Sequence, residues 1–510
     1  MKSVPRLYSA ELDGINAEIV EVEADLNVGL HSFNIVGLAD KAVSEAKERV
    51  NSALKNCGIK PPTKENRRIT INLAPADIKK AGSKFDLPIA IAYLLASDQL
   101  KEFETKDKLF VGELSLDGTL RPVSGVLSIA ILAKEMGLKY LFVPEENAAE
   151  AASISEIKVI PVRRLNELIE HLEGITIIGA QEKTNIEAVY PTHFVRISEI
   201  KGQFAAKRAL LISAAGGHNL LMSGPPGTGK TMIAQALGSL LPPPTKQETI
   251  EITQIYSSIG LNNSKVINHR PFRAPHHSAS LVSVIGGGAN PRPGEISLAH
   301  RGVLFLDETP EFHRDVLEGL RQPLENGSVH VARAKKSLVF PARFQLVAAM
   351  NPCPCGYFED PDKECRCTAN EVFRYQKKLS GPLLDRLDIQ IEVPRIPIEE
   401  LRNVGIDTKA ENEMRDQIVA ARKIQDMRFQ ETNPRIFSNS EMNSKIVDKL
   451  IKLDNAAENF LKHKLEKSFV SARGYYRILK VAQTIADLEN SPDIKTEHLA
   501  EAFQYRLKND

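Results

Sequence analysis

The residues best suited to chemistry form a glycine-rich run, Gly224-Pro-Pro-Gly-Thr-Gly-Lys-Thr231. An apolar strand pattern, Leu220-Leu-Met222, precedes this run, and a helical pattern, Met232 to Leu241, follows it. In such a P-loop the backbone N–H groups surround phosphates, and the helix N-terminus adds a favourable dipole. Lys230 would reach the β- and γ-phosphates, and the Thr231 hydroxyl would hold Mg²⁺. The predicted nucleotide-binding residues are Gly224, Pro225, Pro226, Gly227, Thr228, Gly229, Lys230 and Thr231.

A second apolar strand pattern, Val303 to Leu306, ends in two carboxylates, Asp307 and Glu308. Asp307 would complete the Mg²⁺ shell, and Glu308 would orient and polarise the attacking water. Together with the P-loop, these residues predict ATP hydrolysis with ATP and Mg²⁺ as cofactors. The long separation of the two motifs indicates insertions in the nucleotide domain.

Asn351 follows the apolar strand pattern Phe344 to Met350. A polar side chain at the end of this strand could help Glu308 to place the attacking water. The alternative is a turn-forming asparagine, because Pro352 comes next.

Three arginines are candidates for contacts to phosphate. Arg386 could act as an arginine finger toward the γ-phosphate of a neighbouring subunit, the alternative being a surface ion pair. Arg473 begins a predicted helix and could contact phosphate of the same chain. Arg477, one turn later, is the competing candidate for that role.

Four of the five cysteines lie close together in the sequence, as Cys353-Pro-Cys355 and Cys365-Arg-Cys367. Four thiolates at this spacing could hold a structural Zn²⁺ and fix a loop. The alternatives are free reduced thiols and an iron–sulfur cluster. The candidate zinc ligands are Cys353, Cys355, Cys365 and Cys367.

Hydrophobic periodicity divides the chain into an α/β domain at 1–173, a linker at 174–196, a second α/β domain at 197–395 and a helical lid at 396–510. Short continuous apolar runs in the second α/β domain are typical of parallel strands covered on both faces. The helical patterns of the lid lie at 410–427, 440–465, 471–488 and 496–507.

The bulk properties are those of an ordinary globular protein. The net charge of +1 means that any nucleic-acid surface must be local rather than general. No apolar run is long enough to span a membrane, and the first residues lack the apolar core of a signal peptide. These features predict a cytoplasmic protein with no membrane partner.

Taken together, six motifs resemble the magnesium-chelatase-like branch of AAA+ ATPases, and within it the bacterial ComM/YifB family. The resemblance covers essentially the whole chain. It implies a homo-hexameric ring that acts on single-stranded or branched DNA and promotes branch migration of recombination intermediates, notably during natural transformation. The motifs are Phe85-Asp-Leu-Pro88, Gly112-Glu-Leu-Ser-Leu-Asp-Gly118, the P-loop, Arg270-Pro-Phe-Arg-Ala-Pro-His-His277, Asn351-Pro-Cys-Pro-Cys-Gly356 and Ser471-Ala-Arg-Gly-Tyr-Tyr-Arg477.

The first domain resembles the proteolytic domain of Lon, a ribosomal S5 domain 2-like α/β fold. Leu127 stands where Lon has its catalytic lysine, and the Lon serine falls near Lys84, with Ser83 one position away. A serine without a lysine base is a weak nucleophile. The resemblance therefore implies a non-proteolytic relative.

Two basic segments are candidates for DNA contact. The first, Ser328 to Phe340, has two short strand patterns around a basic tip and resembles the pore hairpin of related AAA+ helicases. Such a tip could grip successive phosphates whatever the base sequence, the alternative being a solvated turn. The second, His269 to Ser278, contains histidines that could be structural instead. The candidate DNA-binding residues are Arg333, Lys335, Lys336 and Arg273, with His276 and His277 less clearly so.

These observations favour an ATP-dependent DNA translocase or branch-migration helicase. The alternatives are the ATPase motor of a metal-chelatase complex, an ATP-dependent protease and a nucleotide-gated scaffold. The Lon-like domain and the cysteines argue against the chelatase, and Leu127 argues against the protease.

Overall fold

The computed structural model describes residues 4–64, 66–187, 189–191, 194–288, 291–332, 337–397, 408–433, 435–467 and 471–506. The chain forms two compact units, one of Met1–Glu187 with Thr245–Asn268, the other of Ala188–Pro244 with His269–Asp510. No helix among the described residues is both long and apolar enough to cross a bilayer.

The first unit is built on a mixed seven-stranded sheet in the order β3-β4-β2-β1-β5-β8-β9. Ile69, Ile71 and Leu73 alternate into the core from β4, as the period of two predicts. The strands are β1 (Arg6–Asp13), β2 (Asn16–Val28), β3 (Ser32–Val36), β4 (Arg67–Ala74), β5 (Lys108–Phe110), β6 (Glu113–Leu114), β7 (Leu120–Arg121), β8 (Tyr140–Pro144) and β9 (Lys158–Val162). The helices are α1 (Lys41–Ser44), α2 (Ala46–Asn56), α3 (Asp86–Ala96), α4 (Val126–Glu135), α5 (Glu145–Ala151) and α6 (Leu165–Leu172), with a 3₁₀ turn at Pro62–Lys64.

The second unit contains a five-stranded sheet in the order β11-β14-β17-β10-β18, with every pair parallel. β14 and β17 are buried along their whole length, which confirms the prediction of covered parallel strands. The strands are β10 (Leu220–Ser223), β11 (Phe272–Arg273), β12 (Gly286–Gly287), β13 (Arg292–Pro293), β14 (Val303–Leu306), β15 (Ser328–Ala332), β16 (Ser337–Pro341), β17 (Gln345–Met350) and β18 (Ile389–Glu392). The helices up to β18 are α7 (Phe204–Gly216), α8 (Lys230–Leu240), α9 (Lys246–Ser258), α10 (Leu281–Ile285), α11 (Glu295–Leu298), α12 (Arg314–Gly319), α13 (Arg321–Asn326), α14 (Ala369–Gln376) and α15 (Gly381–Leu384), with 3₁₀ turns at Ile197–Glu199 and Thr309–Glu311.

Helix α9 and its flanks, Thr245–Asn268, belong to the first unit, although the sequence predicts a single nucleotide domain over 197–395. Ile250 of this helix packs against the first unit's apolar core, and Gln254 Nε2 donates to the Ile15 carbonyl at 3.0 Å. The segment therefore acts as an insertion that leaves the nucleotide domain directly after α8.

β15 and β16 pair antiparallel, with Val331 opposite Leu338, which confirms the predicted hairpin strands. The predicted basic tip, Arg333, Lys335 and Lys336, lies outside the described residues.

The C-terminal part is helical, as predicted. The pattern at 440–465 is not one helix, however, because the chain leaves the helical path after Leu450. Leu453 there forms a β-bridge with Ile494, and Asp454 Oδ1 accepts from the Ala457 N–H at 2.7 Å. The lid helices are α16 (Thr408–Phe429), α17 (Ser444–Leu450), α18 (Asn455–Lys467), α19 (Ala472–Leu488) and α20 (Thr496–Gln504), with a 3₁₀ turn at Asn439–Glu441.

Candidate functional site

The P-loop begins where β10 ends, between the ends of two neighbouring strands. The Gly224 N–H donates to the Met350 carbonyl at 3.2 Å, and a Cβ on Gly224 would lie 2.3 Å from the Val393 carbonyl oxygen. Only glycine therefore fits at this position. Because all five strands are parallel, their carboxyl ends form one edge, and this edge is the usual ligand-binding edge of open α/β sheets.

The Lys230 side chain lies inside the loop. Its Nζ donates to the carbonyls of Gly224 and Pro225 at 2.7 and 2.9 Å, and to Asn351 Oδ1 at 3.2 Å. Burial lowers the pKa of Lys230, and the nearby carboxylates Asp307 and Glu308 partly offset this effect. The predicted P-loop lysine and the asparagine after β17 thus meet in one place.

Thr231 and Asp307, the two predicted Mg²⁺ ligands, are in direct contact. Thr231 Oγ1 donates to Asp307 Oδ2 at 2.8 Å. A hydroxyl and a carboxylate held this way are suitable oxygen ligands for Mg²⁺ when a nucleotide is bound. The side chains present therefore fit the cofactors that the sequence predicts.

Glu308 has a backbone φ of +47°, in the left-handed region that non-glycine residues seldom adopt. Its side chain is half exposed, and its Oε2 lies 3.6 Å from His277 Nδ1. This contact was not predicted, because the sequence indicated DNA contact or a structural role for His277. The sequence carries no clear signal for it, because β11 is only the two residues Phe272 and Arg273 and its pairing with β14 is a tertiary contact.

Asn351 is also held through its backbone. Its N–H donates to the Tyr375 hydroxyl oxygen of α14, and burial together with the carboxylates Glu311 and Glu308 raises the pKa of Tyr375 to about 12. Tyr375 therefore stays a neutral phenol beside the asparagine and the candidate base.

Arg386 and Arg473 share one carboxylate, Glu325 on α13. Arg386 Nη2 lies 2.5 Å and Arg473 Nη2 lies 3.7 Å from Glu325 Oε1. Arg386 is thus in an ion pair, but its side chain is buried, whereas the alternative to an arginine finger was a surface pair. Within the described residues, no hydrogen bond or ion pair joins either arginine to Lys230 or to the rest of the P-loop.

Arg477 is engaged elsewhere. Its Nη1 lies 3.4 Å from Asp388 Oδ1. Burial by itself would raise the pKa of Asp388, but Arg477 and His218 outweigh it and hold that pKa well below its usual range. Arg477 therefore fixes α19 to the end of the nucleotide domain.

Comparison with known proteins identifies the family. The model "Magnesium chelatase, subunit ChlI" matches residues 196–401, "Subunit ChlI of Mg-chelatase" matches 22–147, and "Magnesium chelatase, subunit ChlI C-terminal" matches 408–506. Competence protein ComM of Haemophilus influenzae is 45% identical over 517 residues, which cover 99% of this chain and 97% of that protein. The chain belongs to the ComM/YifB family of magnesium-chelatase-like AAA+ ATPases.

Other matches agree with this assignment. The uncharacterized protein YifB of Escherichia coli is 42% identical over 494 residues, which cover 97% of this chain and 95% of YifB. Lon protease of Rhizobium meliloti is 26% identical over 166 residues, 31% of this chain and 20% of that protein. The predicted family and fold class are both confirmed, including the Lon-like character of the N-terminal part.

In this ComM/YifB-family chain the four clustered cysteines converge in space. The Sγ atoms of Cys353, Cys355 and Cys365 are separated by 3.3, 3.7 and 3.6 Å, and the Sγ of Cys367 lies within 4.8 Å of them. Zn–S bonds of about 2.3 Å require S–S separations of about 3.8 Å in a tetrahedron. The four sulfurs therefore have nearly the spacing of a tetrahedral thiolate site.

The backbone around the cysteines also favours thiolates. N–H groups of Tyr357 and Arg366 donate to the Cys355 sulfur and lower its pKa to about 6. A backbone hydrogen bond from Cys355 also lowers the pKa of Cys367. Burial and the neighbouring sulfurs outweigh this effect and raise the pKa of Cys367 to about 12. A divalent cation would remove this conflict, because it favours deprotonation of every thiol that ligates it.

The cysteine loop rests directly on the P-loop. A Cβ on Gly356 would lie 2.6 Å from Pro226 Cδ, and Gly356 has a φ of +84°. The Gly356 N–H donates to the Cys353 carbonyl at 3.0 Å, so this glycine belongs to the turn that brings the first two sulfurs together. A metal at the cysteines would therefore fix one wall of the nucleotide site.

Arg273, a candidate for DNA contact, forms a bidentate pair with Glu295. Its Nε and Nη2 donate to the two carboxylate oxygens at 2.6 and 2.8 Å. In this fork–fork geometry the Arg273 guanidinium is already paired with a carboxylate of its own chain.

In the Lon-like part, Ser83 and Lys84 each contact a carboxylate. Ser83 Oγ donates to Glu113, and Lys84 Nζ forms a buried ion pair with Glu11. Leu127, at the position of the Lon lysine, is fully buried in the core. No lysine donates to Ser83 among the hydrogen bonds of the described residues.

Proposed function

We propose that this chain is an ATP-hydrolysing DNA translocase that promotes branch migration of recombination intermediates. The observation that carries the hydrolysis step is the contact of Thr231 with Asp307, beside Glu308. In this arrangement Lys230 would bind the terminal phosphates, Thr231 and Asp307 would hold Mg²⁺, and Glu308 with Asn351 would place the water. The Mg²⁺ would neutralise charge on the phosphates when bound.

We propose further that the site is completed between subunits of a homo-hexameric ring. Arg386 and Arg473 meet at Glu325, apart from the P-loop residues of their own chain, so their role would be toward the phosphate of a neighbour. A head-to-tail interface that repeats by rotation produces a closed ring. This assignment places Arg473 with Arg386 in the neighbour's site, rather than at the phosphate of its own chain.

The DNA role is supported by the hairpin and by the relatives. The 45% identical relative is a competence protein, and β15 and β16 form the strands around the predicted basic tip. Six copies of Arg333, Lys335 and Lys336 would give a ring of positive charge on a chain whose net charge is only +1. Single-stranded or branched DNA would be the partner, in the cytoplasm.

We also propose that the four clustered cysteines hold a structural zinc. The sulfur spacing and the backbone N–H donors support tetrahedral thiolate ligation, and all four positions are filled by protein. Such a closed site has no open position for a substrate, so its role would be to hold Asn351 and the P-loop wall in place.

The decisive experiment measures ATPase activity of the full chain with no DNA, single-stranded DNA, duplex DNA and a four-way junction. Native mass spectrometry of the same samples reports assembly. We expect DNA to stimulate turnover, Glu308→Gln to lower it by roughly 10²–10⁴-fold, and the double change Lys335→Ala with Lys336→Ala to remove the stimulation. Unstimulated ATPase together with no effect of the lysine changes would rule out the DNA role.

The motor subunit of a metal chelatase is a second candidate, favoured by the three magnesium-chelatase family models that match the chain. It predicts that ATP turnover is stimulated by partner subunits and a porphyrin rather than by DNA. The DNA panel above, repeated with those partners, separates the two functions.

A further inference from the structure

Glu325 is the only acidic residue of α13, and it lies near the end of this helix. Its carboxylate contacts Arg386 at 2.5 Å and Arg473 at 3.7 Å, while its own side chain remains half exposed. One carboxylate therefore faces two guanidinium groups from distant parts of the sequence.

Among the described residues Glu325 is the one carboxylate that pairs with Arg386 and Arg473, because Arg321 pairs with Glu318 and Arg477 pairs with Asp388. Burial lowers the pKa of Arg386, the charge of Glu325 raises it, and the charges of Arg473, Arg477 and Arg321 lower it further. The Nε atoms of Arg386 and Arg321 are buried and have no hydrogen-bond partner among the described residues. Buried cationic donors without partners are costly, so this cluster is suited to an anion with more oxygens than one carboxylate offers.

Arg386 is also too enclosed to act on another chain as it stands. Its side chain is 9% exposed, whereas that of Arg473 is 62% exposed. Arg386 must therefore leave Glu325 before its guanidinium can contact an external phosphate.

We infer that Glu325 occupies, within its own chain, the anion-binding site of Arg386 and Arg473, and that the terminal phosphate of a nucleotide on the neighbouring subunit displaces it. This inference rests on the proposed intersubunit function of Arg386. A triphosphate offers more charge and more acceptor oxygens than a carboxylate, so the exchange satisfies donors that are unpaired in the isolated chain.

The position of Glu325 connects this exchange to the hairpin. Gly327 follows two residues later with a φ of +65°, its N–H donates to the Pro323 carbonyl at 2.8 Å, and its carbonyl accepts from the Ala342 N–H at 2.8 Å. Gly327 thus lies between α13 and the base of the hairpin β15–β16. Release of Glu325 would be transmitted to the hairpin through this short connection.

The test is Glu325→Gln in the full-length chain, with ATPase measured over a range of ATP concentrations and assembly measured with a non-hydrolysable ATP analogue. Since a partly exposed ion pair is removed, we expect two concentrations to fall by about two- to fivefold. They are the ATP concentration at half-maximal rate and the analogue concentration at half-maximal assembly. We expect kcat to change by less than about twofold, and Glu325→Asp to resemble the wild type. A lower kcat with an unchanged ATP concentration at half-maximal rate would overturn the inference. In that case Glu325 would support Arg386 rather than compete with the phosphate for it.

The matched control is Asp315→Asn, which neutralises one carboxylate on the preceding helix α12, where Asp315 pairs with His313 at 3.4 Å. It should leave both concentrations unchanged.

Arg386→Ala distinguishes failure of the intersubunit function of Arg386 from failure of the proposed displacement of Glu325. If Arg386→Ala retains full turnover, the intersubunit function fails. If Arg386→Ala abolishes turnover but Glu325→Gln equals the wild type in every parameter, only the displacement of Glu325 is rejected.

Discussion

His277 Nδ1 lies 3.6 Å from Oε2 of Glu308, the residue proposed to polarise the attacking water. The two residues follow β11 and β14, which are neighbouring parallel strands. The imidazole of His276 lies against that of His277, with 4.1 Å between ring centroids and an angle of 34° between the rings. The loop after β11 therefore contacts the candidate base and is also one of the segments predicted from the sequence to contact DNA.

This contact predicts that His277 restrains Glu308 until the loop is rearranged. His277→Ala should raise the DNA-independent ATPase rate by about two- to fivefold and reduce the further stimulation by DNA, since one weak electrostatic contact is lost. Steady-state ATPase assays with and without DNA measure both effects. His463→Ala, at an exposed position of α18, is the control, and an unchanged basal rate in His277→Ala would contradict the restraint.

Asn351 is predicted to act in hydrolysis rather than in binding. Its Oδ1 accepts from Lys230 Nζ at 3.2 Å, and its N–H is held by Tyr375. Asn351→Ala should lower kcat by on the order of 100-fold, because a group that orients the reacting water is removed. The dissociation constant of a fluorescent ATP analogue should change by less than about threefold. A large loss of nucleotide affinity with a normal kcat would show that Asn351 serves mainly to hold Lys230.

Gly356 is predicted to couple the cysteine loop to the P-loop by close contact. An added methyl would lie 2.6 Å from Pro226 Cδ at a φ of +84°, so Gly356→Ala should displace the P-loop and cost about 1–3 kcal/mol. The expected result is a loss of ATP affinity, measured by calorimetry, of about 10-fold or more. Gly381→Ala is the matched control, because a Cβ there meets nothing within 4 Å.

The sequence was most informative where chemistry restricts residue type and spacing. The P-loop, the carboxylates after β14 and the asparagine after β17 could be predicted, because each follows a buried strand and the ends of parallel strands meet at one edge. Three strands of the parallel sheet, β10, β14 and β17, and most lid helices followed from periodicity. The single helix predicted over 440–465 failed because Leu453 pairs with Ile494 across the lid, a tertiary contact that local pattern does not reveal.

Relationships between distant segments could not be predicted in the same way. Glu325 meets Arg386, and Gly356 meets Pro226, only because the fold brings separate loops together. The membership of Thr245–Asn268 in the first unit was also missed, since its helical pattern is compatible with either unit. Periodicity identifies a buried face but does not say which core that face joins.

The final prediction concerns the proposed zinc. Purified chain should contain about one zinc per chain by plasma mass spectrometry, and a strong chelator should remove zinc and ATPase activity together, with both restored by added Zn²⁺. Cys355→Ser should lose the metal and lower the melting temperature, because one of the four sulfur ligands is removed. Cys57→Ser is the control, since Cys57 belongs to the first unit and lies against a different core. Full activity in a chain shown to be free of metal would overturn the structural role, whereas iron in place of zinc would redirect it to an iron–sulfur cluster.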